Sequence, residues 1–293
     1  MALCDDLAGL VAPYTRRSAA RVVLAVALTF VAMAAPRVLG RADPIFVTVS
    51  AFALVASAFR VYAILIRPDS TPRARLASTS LLLFDARRIP NLPRVPRALR
   101  VDWLVTGLFE LAVAVFLFVC CDWLPPAALY SRASMLRTFV AGASAYFVVE
   151  GTARVVEMLG VLFGYDIGTL HDAPIRARTV GEFWGRRWNR AVHGMLHDVA
   201  FRPVAKRFGA TAGVMSAFVA SAVLHFVPVI VAYDARWAIA MGAFFVAHGA
   251  LVVAETKLHV ARWPRALGHA WTLGWFAITL PLFVEPLLRS LGR

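Results

Sequence analysis

Residues 211–233 read TAGVMSAFVASAVLHFVPVIVAY, 23 residues without one Asp, Glu, Lys or Arg. As a helix rising 1.5 Å per residue, this run is about 34 Å long, enough to cross a hydrocarbon core of about 30 Å. Inside such a core the backbone must satisfy its own hydrogen bonds, which makes the run a helix. The same reading applied outward predicts seven spans, at about 19–40, 44–66, 102–124, 136–163, 211–233, 236–258 and 267–289. The expected fold is all-α, a polytopic transmembrane helical bundle formed by 1–293 as a single integral-membrane domain. No internal repeat or low-complexity linker divides it.

Composition agrees. The chain is 60% hydrophobic and only 16% charged, where soluble domains carry about 25% charged residues. Its net charge of +14 would suit nucleic acid if it lay on one soluble face. The basic residues instead fall between apolar runs, where they act as topology signals and anionic-headgroup contacts, so membrane lipids and not nucleic acid are the expected partners. Almost all are Arg, a bias that hints at a GC-rich genome. The expected location is the inner membrane if the source is bacterial, or the endoplasmic reticulum if it is eukaryotic. The start, MALCDDLAGL, lacks a basic n-region, so no cleaved signal peptide is expected. Cys4, Cys120 and Cys121 form neither a disulfide framework nor a zinc pattern.

Loop charge sets the expected orientation. Segments 67–100 and 164–210 are rich in Arg, whereas 125–135 and 233–236 carry one Arg each. Both basic segments and the N-terminus, with Arg16 and Arg17, should then be cytoplasmic. Arg289 and Arg293, at the opposite end of the last span, run against that scheme. The stretch around 180–208 is too polar to span and too apolar to leave the membrane, so an interfacial or re-entrant helix is expected there.

Polar residues inside spans are candidate functional groups because each is costly in hydrocarbon. They are Arg60, Glu110, Glu150, Arg154, Glu157, His225, His248 and Glu255. Glu150 and Arg154 are four apart and could pair on one helix face; Glu110 and Arg60 suit interhelical pairing. His225 has only small or apolar sequence neighbours, so burial keeps its imidazole neutral and able to accept a proton. In FWGRRWN (183–189), Trp184 and Trp188 suit an interface. Arg186 and Arg187 present phosphate-binding forks, and Asn189 can orient a carbonyl or hydroxyl. His193, His197 and Asp198 look like one histidine box or an H-x4-D motif. No second box accompanies them, and no metal site is expected. His193 shares a helix face with His197 and could line the same cavity as Asn189.

TVGEFWGRRWN (179–189), SAFVASAVLHF around His225 and FFVAHGALVVAE (244–255) together resemble the membrane-bound O-acyltransferases, in particular their wax synthase branch. Asn189 and His225 are separated by 36 positions, close to that branch's spacing. The resemblance covers 179–255, and departs from the family at Phe226, often Glu there, and at Ala222, often Gly. It implies transfer of a fatty acyl group from acyl-CoA, as co-substrate with no further cofactor, to the hydroxyl of a lipidic alcohol. His225 would be the general base and Asn189 would position the substrate. Trp184, Arg186, Arg187, Trp188, His193, His248 and Glu255 would bind substrate. A transporter or channel with a buried polar pathway, or an inactive lipid-binding relative, are the competing readings.

Overall fold

A computed structural model describes residue 43, residues 46–51 and 53, 94–124 and 130–291. The expected span 19–40, most of 44–66, and Arg16, Arg17 and Arg60 lie outside the described residues, as does the first basic loop up to residue 93. Among the described residues the regular elements are helices, with one isolated antiparallel bridge between Arg94 and Tyr165. They are α1 (Val101–Cys120), α2 (Arg132–Leu162), α3 (Val180–Glu182), α4 (Arg190–Leu196), α5 (Arg202–Ala232), α6 (Ala235–Leu258) and α7 (Arg265–Ser290). A π-helical turn, Phe183–Arg187, continues α3, and another, His197–Phe201, joins α4 to α5.

Four helical stretches are long and apolar enough to cross a membrane: Val101–Trp123, Arg190–Ala232, Ala235–Leu258 and Arg265–Ser290. Helix α2, expected as a span over 136–163, is long enough at 31 residues. Arg137, Glu150, Arg154 and Glu157 make it more polar than its neighbours. The described residues therefore give four such stretches, against the seven spans expected for the whole chain.

Small residues set the α1–α2 crossing. A Cβ added at Gly151 would lie 2.7 Å from the Gly107 carbonyl oxygen, the close backbone approach that small residues permit between membrane helices. Ser144 Oγ donates to the Ala114 carbonyl at 2.8 Å on the same seam. Arg154 crosses it as well, reaching Glu110 at 2.8 Å. The expected Glu150–Arg154 pair is thus replaced, because Glu110 on α1 faces Arg154 and Glu150 is taken by His171 at 2.9 Å.

The stretch Arg190–Ala232 is not one rod. As a straight helix its 43 residues would extend about 64 Å, twice a bilayer core. Gly209 adopts φ 84°, ψ 167°, conformations that favour glycine, and the chain folds back there. A Cβ at Gly213 would lie 2.6 Å from Ala205 Cβ and 2.9 Å from the Phe201 ring. Ser216 Oγ donates to the Ala200 carbonyl at 3.0 Å, although sixteen helical residues would separate these groups by about 24 Å. Met195 packs beside the buried Leu224. Residues 190–208 and 210–232 are therefore antiparallel limbs.

At the opposite end of the bundle, Glu285 is fully buried and lies 3.4 Å from Arg137 Nη1. Thr138 Oγ1 donates to its other oxygen at 3.4 Å. Arg289 lies 3.9 Å from the same carboxylate and 4.4 Å over the Trp237 ring. Packing thus accounts for this Arg, which the loop-charge argument left unexplained.

Candidate active site

FWGRRWN is positioned by its N-terminal turn. Thr179 Oγ1 accepts from the Glu182 N–H at 2.8 Å and Glu182 Oε2 accepts from the Arg178 N–H at 2.8 Å, a variant of the capping-box exchange. The first two amides of α3 donate to the buried Glu255 carboxylate on α6, Val180 at 2.6 Å and Gly181 at 2.9 Å. Trp271 Nε1 on α7 donates to the same group at 2.8 Å. Glu255 thereby ties the start of the motif to α6 and α7.

Beyond that anchor the backbone winds into the π turn, closed by Trp188 N–H donating to the Phe183 carbonyl at 2.8 Å. Its aromatic side chains enter the bundle. Trp184 lies 5.8 Å from Phe245, 5.7 Å from His248 and 6.1 Å from Phe276, ring centre to ring centre. Trp188 stacks between Phe183, at 5.4 Å, and His171, at 4.8 Å. Asn189 follows with φ 39°, a left-handed conformation that Asn tolerates better than other residues bearing a Cβ. Its Oδ1 accepts from the Val192 N–H at 3.2 Å and caps α4.

His225 sits on the 210–232 limb, stacked 4.2 Å from Phe245, with the Phe283 ring tilted 6.0 Å away. Its Nδ1 lies 2.8 Å from the Ser221 carbonyl oxygen. A carbonyl only accepts, so Nδ1 carries the hydrogen and Nε2 the lone pair. Three residues on, Pro228 removes the N–H that would bond to the Leu224 carbonyl. Phe245 therefore touches both Trp184 and His225, and the motif and the histidine share one aromatic core with His248. Phe226, where the resemblance leads one to expect Glu, packs against the buried cluster that includes Phe244 and Phe245.

Arg186 and Arg187 line a cavity of about 910 Å³ together with Arg176, Arg178, Thr179, Glu182, Arg265 and His269. The two central arginines differ. Arg187 donates to Glu182 Oε1 at 2.6 Å and to the Asp172 carbonyl at 2.8 Å, whereas Arg186 is exposed. Sequence reasoning missed Arg265 and His269, which sit 76 and 80 positions beyond Asn189 and reach the cavity only because α7 begins beside Arg178. Gly268 allows that approach, since a Cβ there would lie 2.8 Å from the Arg178 carbonyl oxygen. His193 is exposed, 6.3 Å from His197, and does not line this cavity. Among the described residues no group of three or more His, Cys, Asp or Glu could hold a metal ion.

A second cavity of about 860 Å³ lies between α1, α2 and α7. Phe139, Phe147, Leu273, Phe276 and Leu280 form its apolar wall. The Glu110–Arg154 and Glu150–His171 pairs, with Tyr146 and Glu157, form its polar wall.

Glu182 carries a consequence for pH. Burial pushes its carboxyl up, but the Arg178 N–H and the Arg187 guanidinium outweigh burial and hold it below the ordinary range. A depressed folded value contributes stability above the unfolded pKa of about 4.3, lost as pH falls through the folded value. The thermal midpoint of the purified protein should therefore fall on acidification below about pH 4. Glu182→Gln should start lower and lack that component; identical pH slopes in both proteins would contradict it.

These features define an integral membrane protein with a basic cavity beside a buried aromatic–histidine core. Residues 168–246 match the model of the membrane bound O-acyl transferase family. The chain is 28% identical over 161 residues to probable long-chain-alcohol O-fatty-acyltransferase 7 of Arabidopsis thaliana, covering 50% of this chain and 48% of that protein. It is 29% identical over 140 residues to the long-chain-alcohol O-fatty-acyltransferase of Simmondsia chinensis, covering 43% and 40%. To acetyltransferase eriL of Hericium erinaceus it is 30% identical over 160 residues, covering 49% and 42%. The matched part of the chain thus spans about half or less of each relative's length. The likeness to the wax synthase branch read from 179–255 holds in these matches.

Proposed function

We propose that this protein is an O-acyltransferase that moves a fatty acyl group from acyl-CoA to the hydroxyl of a lipidic alcohol. The observation that carries the reading is the shared aromatic core joining FWGRRWN to His225, with the basic cavity opening beside the same motif. In this reading the phosphates of acyl-CoA meet Arg186, Arg178 and Arg265. Arg187 chiefly holds the turn through Glu182. Phosphate recognition by several guanidinium forks is what such a cavity favours.

The chemistry needs no acyl-enzyme. His225 Nε2 takes the alcohol proton as the alcohol oxygen attacks the thioester carbonyl. The carbon–sulfur bond then breaks, and the thiolate leaves with the proton returned from the imidazolium, giving ester and free CoA. Asn189 spends its oxygen on the Val192 N–H, so its Nδ2 is the end that can donate to a developing oxyanion. The fold-back at Gly209 supports bringing the two residues together. The limbs run antiparallel, and Met195, six residues beyond Asn189, packs beside Leu224, the chain neighbour of His225. A segment that enters the bundle at 180–187 and returns by the 190–208 limb is re-entrant in the membrane sense.

The basic cavity belongs on the cytoplasmic face, where acyl-CoA is available, with α7 running from that face to the opposite one. The test is acyl transfer by the purified protein with labelled acyl-CoA and a panel of fatty alcohols, sterols and diacylglycerol. Labelled ester is the expected product. No ester from any acceptor, with transport of the same molecules across vesicles, would favour the transporter reading instead.

A further inference from the structure

His248 and Trp184 each hold a buried nitrogen with no hydrogen-bond partner among the described residues, His248 Nδ1 and Trp184 Nε1. Orphaned buried polar atoms are rare in native proteins and call for an occupant or a role. These two belong to rings 5.7 Å apart, and they are chemically complementary. Indole N–H can only donate. The other histidine nitrogen, Nε2, lies 3.2 Å from Thr279 Oγ1, whose hydroxyl donates to the Trp275 carbonyl at 2.7 Å. That hydroxyl's hydrogen is committed, so its oxygen accepts from Nε2–H. His248 Nδ1 is then a lone-pair acceptor on a ring 5.7 Å from that of a lone donor.

One atom can satisfy both: an oxygen that accepts from the indole and gives its own hydrogen to the imidazole. A carbonyl cannot, for it has no hydrogen to give, and an ammonium cannot, for it accepts nothing. A hydroxyl can. We propose that Trp184 and His248 form a docking site for a single hydroxyl group, that of the alcohol acceptor, one aromatic ring away from His225. This rests on the acyltransferase reading for the identity of the alcohol. The surroundings fit an alcohol with a large apolar body. Phe276 lies 4.7 Å from His248 and 6.1 Å from Trp184, and its ring also walls the cavity of about 860 Å³. An acceptor chain lying in that cavity passes Phe276 to reach the two nitrogens. Phe245 lies between Trp184 and His225, so Trp184 and His248 hold the acceptor hydroxyl before transfer, and that hydroxyl leaves His248 and moves past the Phe245 ring before His225 takes its proton.

Water is the other source of a hydroxyl, and binding tells the two apart. Equilibrium binding of a labelled long-chain alcohol and of its methyl ether to the purified protein is measured for the wild type, Trp184→Phe and His248→Gln. The ether keeps the apolar body and the oxygen but has no hydrogen to give. The wild type should prefer the alcohol by about tenfold, the value of one hydrogen bond. Trp184→Phe, which removes the donor but keeps an aromatic ring, should weaken alcohol binding about tenfold. His248→Gln, which can still reach Thr279, should do the same. Ether binding should change little in His248→Gln, whose lost acceptor the ether never uses, and should fall together with alcohol binding in Trp184→Phe, whose donor both oxygens share; a merely structural role would not produce that pattern. Equal wild-type affinity for alcohol and ether assigns the oxygen to water and overturns the proposal, as do equal losses for both ligands in His248→Gln. The wild-type contrast stands even if a variant fails to fold. If the wild type makes no ester yet discriminates the two ligands, the acyltransferase reading falls and the hydroxyl site survives. If it makes ester but Trp184→Phe binds the alcohol unchanged, the site alone falls.

Discussion

Replacing His225 by alanine is expected to lower ester formation by about 10²–10⁴-fold, the usual contribution of a positioned general base. The argument rests on the imidazole's tautomer. The Ser221 carbonyl fixes the hydrogen on Nδ1, and the Phe245 ring stacked at 4.2 Å restricts the ring plane. Nε2 is therefore held as the lone-pair nitrogen in a fixed direction, before any substrate arrives. Alanine removes that lone pair and leaves a small apolar gap, so acyl-CoA binding through the arginine cavity should persist. Steady-state rates and acyl-CoA affinity, measured on the same preparation, separate the two effects. A variant within about tenfold of the wild-type rate would remove His225 from the chemistry. A variant that lost acyl-CoA binding as well would mark it as a packing residue.

What could be read from the sequence divides along physical lines. The class of fold was legible because hydrocarbon imposes a length and a composition, and α1, α6 and α7 follow the expected runs to within a few residues. His225 stood out because an imidazole in an apolar helix is unusual, and the structure places it in the aromatic core against Phe245. The reversal at Gly209 was not. Its flanks, KRF and ATA, read as the edge of a span, and it takes the contacts of Phe201 and Ala205 with Gly213, Ser216 with Ala200 and Met195 with Leu224 to show that the two limbs lie side by side. Pairing across helices was equally hidden. Glu150 and Arg154 have the right spacing for each other, yet each finds a partner on another segment, His171 and Glu110. Sequence spacing reports neighbours on one helix and says nothing of which face meets which. Glu285 illustrates the same limit, since its partner Arg137 lies 148 positions away.

Glu255 shows how such a hidden contact bears on function. Its carboxylate accepts from the Val180 N–H, the Gly181 N–H and Trp271 Nε1, so Glu255→Leu would leave three donors without a partner at a buried site. At about 1–3 kcal/mol for each orphaned group, the expected cost is about 3–5 kcal/mol, with allowance for partial relaxation. The loss should be local, because the same bonds hold the entry of FWGRRWN to α6 and α7. Amide hydrogen exchange over 178–188 should accelerate strongly while the interiors of α6 and α7 stay protected, and ester formation should fall with it. Glu255→Gln discriminates further. Its amide oxygen can still accept from Val180 and Trp271, but its NH2 group would face the Gly181 N–H, donor against donor. It should therefore fall between the wild type and the leucine variant in both exchange and rate. Unchanged exchange at Val180 and Gly181 in Glu255→Leu would mean that the motif is seated by its own aromatic face, Trp184 above all, and that the carboxylate is free to serve a substrate instead.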